Sequence, residues 1–282
     1  MENTNERLKG IVKEEYSKIA LQSKGQNETS CCGAGSCGTG TYKIMSEDYS
    51  NLEGYNPDAD LGLGCGLPTE FAKIKKGDTV VDLGSGAGND SFVARSIAGE
   101  EGEIIGIDMT EAMIQKAKAN AEKLGFNNVQ FRLGDIEDIP LSSKRADVVV
   151  SNCVMNLVPD KKKAFDEVYR ILKPNGHFSI SDIVLKGELP ESIKKEAEMY
   201  AGCVSGAIKK GDYLEILSDA GFTNITVQKE KQINIPDEIL LNYLNSEQLN
   251  EFKSKGSGVF SITVYAERPE TECGCEPAAK CC

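Results

Sequence analysis

The sequence predicts an α/β protein: a doubly wound, mostly parallel seven-stranded sheet that ends in an antiparallel hairpin. Three observations predict it. From residue 68 onward β-favouring runs alternate with helical patterns, the rhythm of right-handed strand–helix–strand units. One of these runs, Thr79-Val80-Val81-Asp82-Leu83, passes directly into glycines at 84, 86 and 88 and then into a helical pattern. Sheets of this class use that turn to bring backbone against a nucleotide-like ligand. The last two runs, 224–233 and 259–267, have no helix of crossover length between them apart from 237–253, and are expected to pair antiparallel.

The elements follow in order. Leu8, Ile11, Val12, Tyr16, Ile19 and Ala20 recur at helical spacing and predict a helix over 6–22. Residues 23–41 are rich in Gly, Ser, Thr and Asn and carry Cys31, Cys32 and Cys37, so 1–41 reads as a helix followed by a flexible arm. Residues 42–66 are irregular and end in Leu61-Gly62-Leu63-Gly64-Cys65-Gly66. So long a loop beside a ligand-type turn reads as an active-site lid over 42–67. A short helix (69–75) precedes strand 79–83, and helix 89–98 leads to strand 103–108. Thr110 caps a helix that runs to Leu124 and is ended by Gly125. Strands 129–133 and 147–151 come next, then a helix over 160–172 that stops before Pro174-Asn175-Gly176. Strand 177–183, helices 190–201 and 211–220, and the closing strands complete a main domain over 42–268, with 186–268 as its C-terminal part. The polar tail 269–282 holds Cys273, Cys275, Cys281 and Cys282 and is expected to be disordered.

Bulk properties narrow the function. The 282 residues carry a net charge of −12, which argues against a nucleic-acid partner. The basic run Lys161-Lys162-Lys163 reads as a solvated helix start. With no apolar leader and no run of about eighteen apolar residues, the chain is expected to be cytoplasmic, without a membrane partner, and monomeric. Ten cysteines in a reducing compartment point to metal or redox chemistry rather than a disulfide framework. There is no C-x-x-C and only one histidine, His177, so a zinc finger is poorly supported.

The spacing of the glycine turn, Asp82-x-Gly84-x-Gly86-x-Gly88, departs from a pyrophosphate loop. An acid at 82 repels a pyrophosphate and suits a cationic amino-acid tail. Asp108 ends the next strand, where a carboxylate can grip ribose hydroxyls. S-adenosylmethionine has both parts, and the pattern resembles the nucleotide loop of class I methyltransferases, a Rossmann-like fold. On that resemblance Asp82, Gly84, Ser85 and Gly86 lie along the methionine portion, with Asp108 on the ribose.

In such a sheet ligands bind beyond the carboxyl ends of the strands, where strand order reverses. Cys153 follows strand 147–151 there; alone, it reads more readily as a buried apolar cysteine. Cys65 ends the lid and Cys203 ends the helix after strand 177–183, on the same edge of the sheet. Three thiols from three loops could converge on one thiophilic element.

These segments resemble arsenite S-adenosylmethionine methyltransferases over about residues 6–268. The resemblance is carried by Asp60–Gly66, Val81–Gly88, Ile105–Thr110, Ser151–Lys161 and Ala201–Val204. The stretch around Cys153 is its most specific part. It implies that Cys65, Cys153 and Cys203 bind trivalent arsenic, with Cys31 or Cys32 as redox partner, Cys32 being the preferred one of the adjacent pair. It implies that the arsenic lone pair takes the methyl group of S-adenosylmethionine, leaving S-adenosylhomocysteine. A disulfide such as Cys32–Cys65 would return two electrons and be reset by thioredoxin or glutathione. Substrates would be arsenite and methylated trivalent arsenicals, and the role arsenic detoxification. Met109 is expected under the adenine, and Ile136-Glu137 at its edge. Met109 and Ile136 read equally as core. Asp135 reads as a base contact or a turn cap, Asn152 as a contact to the cofactor's carboxylate or ammonium, and Tyr55 as a cover or a surface aromatic. Two alternatives stay open: a methyltransferase of a small organic metabolite, and a non-catalytic metalloid-binding protein.

Overall fold

The structure is a computed structural model. It describes residues 4–22, 47–187, 206–234, 237, 241, 244–254 and 258–270. In chain order the described elements are α1 (Thr4–Ala20), α2 (Pro68–Phe71), β1 (Thr79–Leu83), α3 (Asn89–Ala98), β2 (Glu103–Asp108) and α4 (Glu111–Lys123). β3 (Val129–Leu133), β4 (Ala146–Asn152), α5 (Lys161–Ile171) and β5 (Leu172–Lys186) follow. The chain closes with α6 (Lys210–Asp219), β6 (Thr223–Ile233), α7 (Ser246–Ser254) and β7 (Gly258–Glu267).

The seven strands lie in the order β3-β2-β1-β4-β5-β7-β6. The first five pair in parallel, and β7 runs antiparallel to both β5 and β6. The predicted fold class is the one observed. Every residue of β1 is buried, as both-face coverage by helices requires. Its side chains alternate: Val80 joins Phe92, Ile104, Met113 and Val148 on one face, while Val81 and Leu83 join Ile105, Val149, Phe165 and Tyr213 on the other. Strand order reverses between β2-β1 and β4, so the crevice for a ligand opens beyond Leu83 and Asn152.

Local differences from the sequence reading have physical causes. β5 begins at Leu172 rather than 177, and runs through Pro174-Asn175-Gly176. The Asn175 amide donates to the Arg268 carbonyl at 3.0 Å and the Arg268 amide returns to Gly176 at 2.8 Å. Turn residues are thereby held in the sheet by a partner distant in sequence. Thr110 stands at the N-cap of α4 without a side-chain capping bond; its amide donates to Asp108 Oδ1 at 2.8 Å instead. The helix predicted from 69 to 75 ends at Phe71, and Lys73 just beyond it has a left-handed backbone, φ +49°. The predicted helix 190–201, the arm 23–41 and most of the tail 269–282 lie outside the described residues.

Candidate active site

The turn after β1 builds the floor of a pocket at the carboxyl edge of the sheet. Gly84 takes φ +68°, a conformation that costs other residues strain. A Cβ there would sit 2.2 Å from Val154 Cγ2, so the turn lies directly against the residue after Cys153. Asp108 holds the turn from the side: its Oδ2 accepts from the Gly86 amide at 3.0 Å. The pocket is lined by Gly84, Ser85, Gly86, Asp108, Met109, Ile136, Asn152 and Cys153, all expected from sequence. Ser85 Oγ is buried without a hydrogen-bond partner.

Two residues expected at the cofactor are not in the pocket wall. Asp82 is 2% exposed and lies beneath the turn, where it accepts from Ser91 Oγ at 2.6 Å. Its side chain turns off the sheet face under the first turn of α3, where Ser91 holds it. Glu137 is drawn off by other donors: the Lys9 ammonium and the Asp160 amide, the latter at 2.8 Å. Asp135 does cap the turn, accepting from the Glu137 amide at 2.9 Å, and also binds Lys9 at 2.6 Å. Tyr55 donates to Asp60 at 3.1 Å rather than standing free on the surface.

Sequence reasoning missed Asp90, Tyr49 and the pocket face of α1. Asp90 lies in the first turn of α3 and lines the pocket with Tyr49, Lys9, Val12 and Tyr16. The signal for Asp90 was available: a first-turn acid directly after a glycine turn faces whatever the helix N-terminus binds. Tyr49 stands in irregular chain and carries no such signal.

Burial pushes Asp82 up to about 8, with the Asp90 charge adding to it, and pushes Asp90 up to about 6 against hydrogen bonds from Asn152 and Tyr49. Burial also raises Asp108, against bonds from Thr110 and Gly86. In the unfolded chain such acids ionise near pH 4. Between that pH and their folded values the native state holds more protons, so stability falls as pH rises through about 6 and then about 8. A bound cation reverses the balance by favouring the ionised carboxylates. Affinity for S-adenosylhomocysteine, whose ammonium is cationic, is therefore expected to rise with pH up to about 6, where free Asp90 still holds its proton, and to be accompanied by proton release. Calorimetry at about pH 5.5 in two buffers of different ionisation enthalpy measures that release; equal heats in both would contradict the assignment.

The cysteines stand at the edge of this pocket. Cys65 and Cys153, separated by 88 residues, form a disulfide with Cα atoms 5.9 Å apart. They are 1% and 3% exposed. Cys153 has φ +61°, uncommon for a residue other than glycine and a mark of local strain. Its amide donates to the Ser181 carbonyl at 2.8 Å. The Cys65 amide donates to Asn152 Oδ1 at 3.0 Å, and its carbonyl accepts from Ser261 Oγ at 2.5 Å. Small neighbours make this possible: a Cβ at Gly64 would meet Asn152 Nδ2 at 2.7 Å, and one at Gly66 would meet Ser181 Oγ at 2.4 Å. Cys65 is thus partnered by Cys153 here; Cys31, Cys32 and Cys203 lie outside the described residues. Among the described residues no group of three or more His, Cys, Asp or Glu could hold a metal ion.

Residues 74–221 match the family model for a methyltransferase domain. The chain is 36% identical over 277 residues to an arsenite methyltransferase of Halobacterium salinarum, covering 94% of this chain and 67% of that protein. The chain belongs to the arsenite methyltransferase family. An arsenite methyltransferase of Aquipseudomonas alcaligenes is 33% identical, over 83% of this chain and 67% of that one. Among solved structures, CrArsM, an arsenic(III) S-adenosylmethionine methyltransferase from Chlamydomonas reinhardtii, superposes with a TM-score of 0.61 at 32% identity, over 73% of this chain and 68% of that one. This member of the family is an S-adenosylmethionine-dependent methyltransferase. The donor set fits that cofactor: carboxylates for a cation at Asp90, an open approach at Gly86, and the unpartnered hydroxyl of Ser85.

Proposed function

We propose that the protein methylates trivalent arsenic, holding it through Cys65, Cys153 and Cys203. The observation that carries this reading is the meeting of Cys65 and Cys153, from distant parts of the chain, at the pocket that the Gly84–Gly86 turn lines. Gly84, Ser85 and Gly86 hold the methionine portion of the cofactor, Asp90 its cationic end, Asp108 the ribose, and Met109 and Ile136 the adenine. When bound, S-adenosylmethionine supplies an electrophilic sulfonium methyl group for transfer.

The disulfide opens first: two external thiols are oxidised to a disulfide as Cys65 and Cys153 become thiols. Arsenite then exchanges three hydroxyls for three cysteine sulfurs and releases three waters. The three sulfurs leave the arsenic lone pair as its free apex, facing the pocket. No general base is needed, because arsenic attacks through its lone pair and no proton has to be removed from it. The contribution of the protein is alignment, worth up to about 7–11 kcal/mol in well-oriented reactions. Transfer raises arsenic from the trivalent to the pentavalent state. Cys32 with Cys65 returns the two electrons, and a thiol such as thioredoxin or glutathione resets the pair. The role is arsenic detoxification in the cytoplasm. Among the described residues no helix is long and apolar enough to cross a membrane.

The test is to incubate reduced protein with arsenite, S-adenosylmethionine and a dithiol, and to separate the arsenic species by chromatography. Methylated arsenicals formed together with S-adenosylhomocysteine support the reading; S-adenosylhomocysteine formed only with an organic acceptor overturns it.

A further inference from the structure

Between the cofactor pocket and the Cys65 turn lies a hydrogen-bond cluster with more acceptors than protons. Tyr49 Oη lies 3.0 and 2.9 Å from the two Asp90 oxygens and 3.0 Å from the Gly66 carbonyl. Asn152 Nδ2 faces the Gly66 carbonyl at 2.9 Å, Asp90 Oδ2 at 3.2 Å, and Tyr49 Oη. A phenol donates one proton and an amide nitrogen two, so three protons serve six contacts. The oxygen of the same Asn152 amide accepts from the Cys65 amide, and Asn152 directly precedes Cys153.

The Tyr49 proton therefore has two competing destinations. An ionised Asp90 takes it, because a charged acceptor makes the stronger bond. A cation placed on Asp90 weakens that claim, and the proton turns to the Gly66 carbonyl. We propose that Tyr49 and Asn152 are positioning residues that tie the grip on the Cys65 turn to occupation of the cofactor pocket. Cofactor on Asp90 releases the Tyr49 proton to Gly66 and holds Cys65 against Cys153. The consequence rests on the arsenic reading: a filled cofactor pocket tightens arsenite binding, and bound arsenite tightens cofactor binding by the same factor. The two substrates are thereby brought together before transfer.

The coupling can be read without arsenic, from how firmly the two cysteines are held together. The full chain is equilibrated in glutathione redox buffers with and without saturating S-adenosylhomocysteine. The fraction of Cys65–Cys153 cross-linked peptide is then measured by mass spectrometry. In the wild type, S-adenosylhomocysteine is expected to raise the ratio of reduced to oxidised glutathione needed to open half the pairs by about fivefold or more, the lower end of ordinary coupling. Tyr49→Phe keeps the ring and removes the proton; its shift is expected to fall below about twofold with the thermal midpoint retained. No shift in the wild type overturns the proposal, and so does a full shift in Tyr49→Phe. A parallel titration with arsenite separates the two readings. Failure of arsenite to bind in either state would remove the substrate, while the exchange measurement would still decide the coupling.

Discussion

Replacing Cys153 by serine is expected to lower arsenic methylation by at least about a thousandfold, roughly 4 kcal/mol of transition-state stabilisation. The loss of one sulfur ligand leads to that figure. Serine oxygen is a poor ligand for a thiophilic element, so a two-sulfur complex would keep a labile third position and an unfixed lone pair. Cys153 also sits in a left-handed turn whose amide is held by Ser181 and whose next residue touches the Gly84 turn. Of the two described cysteines it is therefore the one tied more directly to the Gly84 turn. Serine keeps that backbone and packing, so binding of S-adenosylhomocysteine is expected to stay within about twofold of the reduced wild type, in which the pair is likewise open, a change of about 0.4 kcal/mol. Steady-state assay of methylated product, beside calorimetric titration of S-adenosylhomocysteine, checks both halves. Normal turnover in the variant would take Cys153 out of the reaction.

Asp108→Ala is expected to raise the dissociation constant for S-adenosylhomocysteine by about a hundredfold, or about 2.7 kcal/mol. The carboxylate accepts from the amides of Gly86 and Thr110, and hydrogen bonds to a charged group contribute about 1.5–3 kcal/mol each. Alanine leaves both amides unanswered and removes the acceptor assigned to the ribose. Asp108→Asn keeps one acceptor oxygen and should fall between the two. Arsenite binding in the absence of cofactor should change little, because β2, which ends in Asp108, and β4, which leads to Cys153, lie on opposite sides of β1. A variant that binds S-adenosylhomocysteine like wild type would contradict the assignment.

The parts of the fold set by local pattern were legible in the sequence. α3 and β2 begin and end where apolar spacing and glycine punctuation place them, because neighbouring residues determine such signals. The start of β5 was not legible: Pro174-Asn175-Gly176 reads as a turn, and the bonds from Arg268 that keep it in the sheet come from the far end of the chain. The site divides in the same way. Gly84, Gly86 and Asp108 belong to a short motif whose spacing carries its own meaning. Asp82 belongs to the same motif, yet it is buried against the first turn of α3 and held by Ser91, and Asp90 takes its expected place on the pocket wall. Tyr49 lies in the stretch read as a lid, but nothing local singles it out, and Lys9 reaches the pocket only through tertiary packing of α1.

The central claim, that sulfurs from distant segments hold one arsenic atom at the pocket, is tested most directly by X-ray absorption spectroscopy at the arsenic edge of the reduced protein loaded with one equivalent of arsenite. The account predicts three sulfur neighbours and no oxygen neighbour, with one sulfur lost in each of Cys65→Ser, Cys153→Ser and Cys203→Ser. A three-sulfur shell that persists unchanged in Cys65→Ser and in Cys153→Ser would place the arsenic on other cysteines and contradict it.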